Sequence, residues 1–328
     1  MTEEETIMKK IWQLWLATAL AAILLTACGQ EEHGEDHASN ETEAEQETAQ
    51  FPMTVKDVTD NEITLEEAPK AIVSMIPSNT EILYALGLDE EIVGVSDFDN
   101  YPEEAASKEK IGGMEFNVEK IISLNPDLVL AHESALGTWD AGLKQLRDAG
   151  INVYTVSNAE SFDATYKTIE DFGKLTDKSE EASEIVEEMK TTVQDVQDKV
   201  ATVDTKKKVL VEISPEPEIY SPAGKTMMNE MLNLINAENL VGDLEGWIKL
   251  DPEEIVKRNP DVIITTYGAY TPDSTKLVLN RNGFADVTAV KNKAVVDVDA
   301  DITGRMGPRL ADGVEVLAKA IYPEAFGE

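Results

Sequence analysis

The alternation of apolar and polar positions along this chain passes through one series of patterns and then repeats it. Residues 71–76 form a mostly apolar run, and Asn79-Thr-Glu-Ile-Leu-Tyr-Ala-Leu-Gly-Leu-Asp-Glu-Glu-Ile-Val-Gly94 after it reads as a helix leading into Ile-Val-Gly. Residues 208–213 form a second such run, followed by Met228-Asn-Glu-Met-Leu-Asn-Leu-Ile-Asn-Ala-Glu-Asn-Leu-Val-Gly242. Downstream in each half, Glu119-Lys-Ile-Ile-Ser-Leu-Asn-Pro-Asp-Leu-Val-Leu-Ala131 matches Glu253-Glu-Ile-Val-Lys-Arg-Asn-Pro-Asp-Val-Ile-Ile-Thr265. Each predicts a short amphipathic helix, a stop and a buried strand. Pro126 and Pro260 cannot continue a helix and push the preceding residue toward an extended conformation. Uninterrupted apolar strands belong to parallel sheets covered on both faces. Two copies of one strand–helix–helix–strand order predict an α/β fold of two similar lobes, 51–176 and 205–328.

Between the copies, Ala182, Ile185, Val186, Met189, Val193, Val196, Val200 and Val203 recur at three- and four-residue steps. That is one apolar stripe on a long helix. The segment 177–204 is therefore expected to join the lobes stiffly, with Asp177 as N-cap and Glu180 completing a capping box.

The N-terminus is patterned for targeting. Lys9 and Lys10 precede a nearly uncharged apolar run, residues 11–25, which is short for a membrane span of ~20 residues and ends in small side chains. Residues 1–28 are expected to be a signal peptide, with Met8 the expected start. Leu25-Thr26-Ala27-Cys28 closes the run, and Cys28 is the sole cysteine of the chain, so an intrachain disulfide is impossible. Residues 29–50 contain no large apolar side chain and are expected to form a disordered acidic tether. His33 and His37 within it read as solvated bystanders, because a zinc-type site needs three or four fixed ligands.

Charge and missing chemistry narrow the function. With 64 acidic residues against 28 basic, the net charge is -36, which opposes binding to nucleic acid. Such acidity suits solvated faces and equally a saline or alkaline habitat. His132 is the only histidine beyond residue 50 and no cysteine accompanies it, so a His-based triad has a single candidate member and a His/Cys metal cluster is short of ligands. Gly224-Lys225-Thr226 fails as a phosphate loop because Ile219 stands where its first glycine is required. The chain reads as no enzyme and as holding no resident metal or cofactor.

Leu25-Thr-Ala-Cys28 resembles the lipobox of bacterial lipoproteins, which implies a lipid on Cys28 and attachment to the extracytoplasmic face of the cell membrane. Ile76-Pro-Ser-Asn-Thr-Glu-Ile-Leu-Tyr-Ala-Leu-Gly87, Val95-Ser-Asp-Phe-Asp-Asn-Tyr-Pro102, Gly112-Gly-Met-Glu-Phe-Asn-Val-Glu119, both Asn-Pro-Asp segments and Gly304-Arg-Met-Gly-Pro-Arg309 together resemble the helical-backbone substrate-binding proteins of ABC importers, the cobalamin and ferric-siderophore group. The likeness spans nearly all of 65–325. It implies a monomeric binder with a ligand in the inter-lobe cleft and little lobe closure, which delivers that ligand to a permease dimer and its ATPase. By position, Glu81 and Glu230 are the two carboxylates, one on each lobe, that would pair with permease arginines.

The cleft is expected at the loops after the strands, where α/β folds bind ligands. Candidates there are Ser78, Phe98, Tyr101, Met114, Trp139, Trp247, Tyr267, Tyr270 and Arg305, since aromatic faces suit a flat, largely apolar macrocycle. A strongly anionic catecholate complex calls for clustered cations, and only Arg305 and Lys249 offer themselves. Cobalamin is thus the expected ligand. A ferric siderophore or haem is the alternative within the class, and an adhesin reusing the fold the alternative outside it.

Overall fold

The repeated pattern becomes two parallel sheets with one strand order. A computed structural model describes residues 51–327; the expectations for Cys28, His33, His37, the signal segment and the tether lie outside them. An antiparallel hairpin, β1 (Met53–Lys56) and β2 (Glu62–Leu65), precedes the first lobe. That lobe comprises β3 (Ile72–Ser74), α1 (Pro77–Ala85), β4 (Ile92–Val95), α2 (Val118–Ser123), β5 (Leu128–His132), α3 (Asp140–Asp148) and β6 (Asn152–Val156). Its sheet runs β4-β3-β5-β6, all parallel.

Two helices follow, α4 (Phe162–Thr176) and α5 (Ser179–Val200). The second lobe contains β7 (Lys208–Glu212), β8 (Tyr220–Pro222), α6 (Met227–Leu234), β9 (Glu238–Asn239), β10 (Trp247–Lys249), α7 (Pro252–Arg258), β11 (Val262–Thr265), α8 (Ser274–Leu279), α9 (Thr288–Lys291), β12 (Val295–Asp297), α10 (Ala300–Gly304) and α11 (Leu310–Ile321). Its parallel sheet, β9-β7-β11-β12, repeats the first lobe's order strand for strand. The antiparallel β8–β10 pair is an addition of this lobe.

The two Asn-Pro-Asp motifs do the same job in each lobe. Asn125 and Asn259 adopt the left-handed conformation that ends the preceding helix. The aspartate then ties down the entry of the neighbouring strand. Asp127 Oδ2 accepts from the amides of Lys70 and Ala71 at 2.9 and 3.0 Å, and Asp261 Oδ2 accepts from Lys208 N at 2.9 Å.

The lobes are joined as the stripe foretold, with a correction at its start. Asp177 has φ +60° and is the left-handed terminator of α4, not the N-cap of the next helix. The connecting helix α5 begins at Ser179 and runs 22 residues, about 33 Å. Ala182, Val186, Met189, Val193, Val196 and Val200 are buried on it. They join one continuous apolar cluster that includes Phe172 of α4, Met231 of α6 and Leu317 of α11. Gly173 is required where α4 meets α5, because a Cβ there would stand 2.5 Å from that of Ala182. One face of α5 is thus packed along its length into a core to which both lobes contribute.

Candidate functional site

The cleft is built from loops at the C-terminal ends of the parallel strands, as the topology requires. In the first lobe, the loop after β4 exposes Phe98 and Tyr101, and the loop after residue 111 exposes Met114. Gly113 lets the Phe98 ring lie on that second loop, since a Cβ would fall 2.9 Å from Phe98 Cζ. In the second lobe, Trp247 and Tyr270 are 61% and 65% exposed, large values for rings of that size. Both line a pocket of ≈290 Å³ with Ile213, Pro222, Met227, Met228, Thr266, Thr303, Gly304 and Met306. Its wall is hydrocarbon, thioether and aromatic, with two threonines as polar exceptions. Tyr270 is held by its hydroxyl, which donates to Ile213 O at 2.9 Å.

Four of the expected ligand contacts stand differently. Trp139 is buried, edge-on to Phe116 with ring centroids 5.7 Å apart, and its indole N–H donates to Met114 O at 3.0 Å. It supports the Met114 loop from beneath and is not a cleft wall. Tyr267 has no exposed surface. Its hydroxyl donates to Glu212 Oε2 at 3.1 Å, and Arg281 grips the same carboxylate with two nitrogens at 2.6 and 2.8 Å. Burial and the adjacent carboxylate push the Tyr267 phenol far above its ordinary range. Ser78 is half-buried in α1, its carbonyl facing Gly307 across the lobe junction.

Arg305 is also spoken for. Its Nη1 donates to Glu81 Oε1 at 2.9 Å and to Asn100 Oδ1 at 2.7 Å, while Nη2 lies 2.9 Å from Asp301 Oδ2. Asn100 closes the ring by donating to Asp301 at 2.8 Å. Lys249, the other candidate cation, is paired with Glu218 at 2.6 Å.

Glu81 departs furthest from expectation, because its side chain is 2% exposed. Besides Arg305 it accepts from Arg309 Nε at 2.9 Å and Nη2 at 2.6 Å. The Arg309 guanidinium in turn lies 3.7 Å over the Tyr101 ring, a stacked cation–π contact. Glu81 is an internal ion-pair centre here, not an exposed carboxylate. Glu230 is half-buried and accepts from Phe162 N at 3.2 Å, capping α4. Burial raises its carboxyl pKa. Sequence spacing could not show either partnership, since each joins residues far apart in the chain.

Among the described residues the one histidine has a serine neighbour but no carboxylate partner of the kind a triad needs. His132 is buried at the end of β5 with Nδ1 2.8 Å from Ser134 Oγ, and burial lowers its pKa. Among the described residues no three His, Cys, Asp or Glu side chains converge to hold a metal ion, and no helix is long and apolar enough to cross a membrane.

Two α/β lobes of matched topology, a packed connecting helix and an aromatic cleft agree with a match to the Periplasmic binding protein family over residues 72–302. The chain belongs to that family. It is a family of substrate-binding proteins for transporters and not of enzymes. The chain is 46% identical over 323 residues to an uncharacterised ABC transporter substrate-binding lipoprotein, YvrC, of Bacillus subtilis (strain 168), spanning 98% of this chain and all of that one. It is 28% identical over 287 residues to a cobalamin-binding protein of Halobacterium salinarum (strain R1), covering 83% of this chain and 74% of the relative. A crystal structure of a possible iron-binding (periplasmic solute-binding) protein from Staphylococcus epidermidis superposes with TM-score 0.72 at 40% identity, over 78% of this chain and 100% of the other.

Proposed function

We propose that the protein captures a corrinoid of the cobalamin type in the inter-lobe cleft and hands it to the permease dimer of an ABC importer. In this reading it works as a monomer held to the extracytoplasmic face of the membrane by a lipid on Cys28. The corrinoid is cargo, and the protein keeps no cofactor of its own. The observation that carries the choice of ligand is electrostatic. The pocket is walled by Trp247, Tyr270 and three methionines, and the one guanidinium beside it, Arg305, is neutralised by Glu81 and Asp301. A tri-anionic catecholate complex or the two carboxylates of haem would enter without a free cation to meet them, at a high desolvation cost. A cobalamin presents broad apolar corrin faces rimmed by neutral amides and carries a single phosphodiester charge, so it asks for far less cationic compensation than either. The cobalamin-binding relative from Halobacterium supports the same choice.

A second reading has an observation of its own. The structurally similar Staphylococcus protein is described as possibly iron-binding, and an uncharged ferric hydroxamate would suit the same wall. Fluorescence titration of residues 51–328 separates the two, because Trp247 lines the pocket while Trp139 is buried. Saturable quenching by cyanocobalamin at micromolar concentration or below, absent with a ferric hydroxamate and with haem, supports the corrinoid. Quenching by the hydroxamate alone overturns it.

Docking on the permease through Glu81 and Glu230 belongs to this proposal. Because Glu81 is already paired within the chain, a permease arginine must displace Arg305 or Arg309 to reach it. Charge reversal at Glu230, which no guanidinium pairs, should abolish import with ligand affinity kept within about threefold. Reversal at Glu81 also breaks its pairs with Arg305 and Arg309 and should disturb the fold around the cleft. Import that survives the Glu230 reversal would favour an adhesin-like role for the exposed surface.

A further inference from the structure

The two repeats place a glutamate at the same point of their first helix, Glu81 in α1 and Glu230 in α6, and both glutamates reach out of their own lobe. Glu81 binds Arg305, which caps the end of α10, and Arg309, which stands just before α11. Glu230 binds Phe162 N, the first residue of α4, the helix after β6. Glu81 therefore holds the connection between α10 and α11, and Glu230 the start of α4, so each acts on the chain after the fourth strand of the other repeat. The contacts are crossed, and they differ in strength. One is a carboxylate shared by two guanidiniums with 2% of its side chain exposed; the other is a single hydrogen bond at a helix N-terminus.

We propose that Glu81, Arg305 and Asn100 form a positioning bridge that sets the spacing of the cleft, so that the walls of the apolar pocket depend on the opposite lobe. The proposal rests on the reading of that pocket as the ligand site. Arg305 stands between Gly304 and Met306, both of which line the pocket. Asn100 stands between Phe98 and Tyr101 on the opposing loop, and it touches both Arg305 and Asp301. Any shift of one lobe along the cleft must break this ring of charge-assisted hydrogen bonds. Such bonds are the strong ones, and a carboxylate buried this far cannot exchange its partners for water. Arg305 thereby acts on the ligand through the wall it holds, and its guanidinium stays with Glu81 when the pocket fills.

The absence of cysteine after Cys28 allows a direct measurement on residues 51–328. Spin labels at Ser107→Cys and Asn292→Cys, both exposed and one on each lobe, report the inter-lobe distance without any ligand. The starting protein should give one narrow distribution, and Arg305→Met and Asn100→Ala should each broaden or shift it. Asn100→Ala removes an exposed amide and guards against a variant that fails to fold. Unchanged distributions in both folded variants would overturn the bridge. With cyanocobalamin as probe, dissociation should quicken about threefold or more in Arg305→Met. Adding Asn100→Ala should quicken it by less than the product of the two single effects, because the variants share the Arg305–Asn100 bond while the Asn100–Asp301 bond survives in Arg305→Met. Additive acceleration, or direct loss of association with an unchanged distance, would return Arg305 to the ligand and overturn the proposal. A broadened distance in variants of a protein that never binds cyanocobalamin keeps the bridge and removes only the corrinoid.

Discussion

Arg309 and Glu81 are 228 residues apart in the chain and 2.6 Å apart in the fold. The pair is bidentate, since Arg309 Nε also donates to the second carboxylate oxygen, and the guanidinium face is covered by Tyr101. Lysine cannot reproduce this arrangement. Its ammonium is a point charge with neither a planar fork nor a face to stack. Arg309→Lys should therefore cost about 1–3 kcal/mol of stability in urea unfolding, although the charge is kept. A loss under half a kcal/mol would mean that charge alone holds Glu81.

The tyrosines 267 and 270 lie close, with ring centroids 6.4 Å apart, yet the structure gives them opposite duties. Tyr267 is sealed over Glu212 and Arg281, whereas Tyr270 is open to the pocket. Tyr267→Phe should lower stability by about 1–2 kcal/mol through the lost donor to a buried carboxylate, with cyanocobalamin affinity unchanged. Trp247→Ala should behave inversely, weakening binding about tenfold or more as the removal of an exposed aromatic anchor does, with melting temperature nearly unchanged. Paired titration and thermal melts on the two variants check both halves. Equal effects of the two substitutions on affinity would merge what the geometry separates.

Glycine at 173 is a packing requirement, not a flexible joint. In Gly173→Ala the gain of about 1 kcal/mol in helix propensity is opposed by a Cβ only 2.5 Å from that of Ala182 and 2.8 Å from Lys178 O. Overpacking of that order costs about 1–3 kcal/mol, so the melting temperature should fall, and Ala182→Gly on the same chain should recover part of the loss. A rise in the single variant would show that α4 and α5 can separate freely.

These contacts also explain what could be read in advance. The two repeats, the succession of elements in each and the stripe on α5 follow from local rules: apolar period, proline and the Asn-Pro-Asp stop act within a few residues. Phe98, Tyr101, Met114 and Tyr270 stand exposed in loops after strands and Trp247 is exposed at the start of β10, the exposure that large apolar side chains at such positions led one to expect. Trp139 and Tyr267 carried the same expectation and went inward, drawn by partners at Met114 and Glu212 that local pattern does not mark. The pairing of Glu81 with Arg305 was not legible, because it joins residues 224 apart in the chain and exists only once both lobes are folded. Asp177 fitted a capping box in sequence, but the tight turn between α4 and α5 took it for a left-handed terminator instead.

Asp99 offers a test through pH. It is 4% exposed, between Phe98 and Asn100 on the cleft loop, with Oδ2 accepting from Ser96 Oγ at 2.5 Å and Oδ1 buried without a partner. Burial raises its pKa above the ordinary 3.8, opposed by hydrogen bonds from Ser96 and Thr80 and by the charge of Lys110. The Lys110 ammonium bonds the Ser96 and Asp99 carbonyls, and Tyr84 faces the site from α1 with its own hydroxyl unpaired. A carboxyl whose folded pKa is raised contributes stability in full below its unfolded pKa, and that contribution is lost as pH rises through the folded value. Asp99→Asn stays neutral throughout. Its melting temperature should match that of the starting protein near pH 4 and exceed it increasingly toward pH 7, in buffers of constant ionic strength. An advantage that is flat across this range, or that grows toward acid, would mean that Asp99 is ionised and well paired in the fold, with the Lys110 ammonium outweighing its burial.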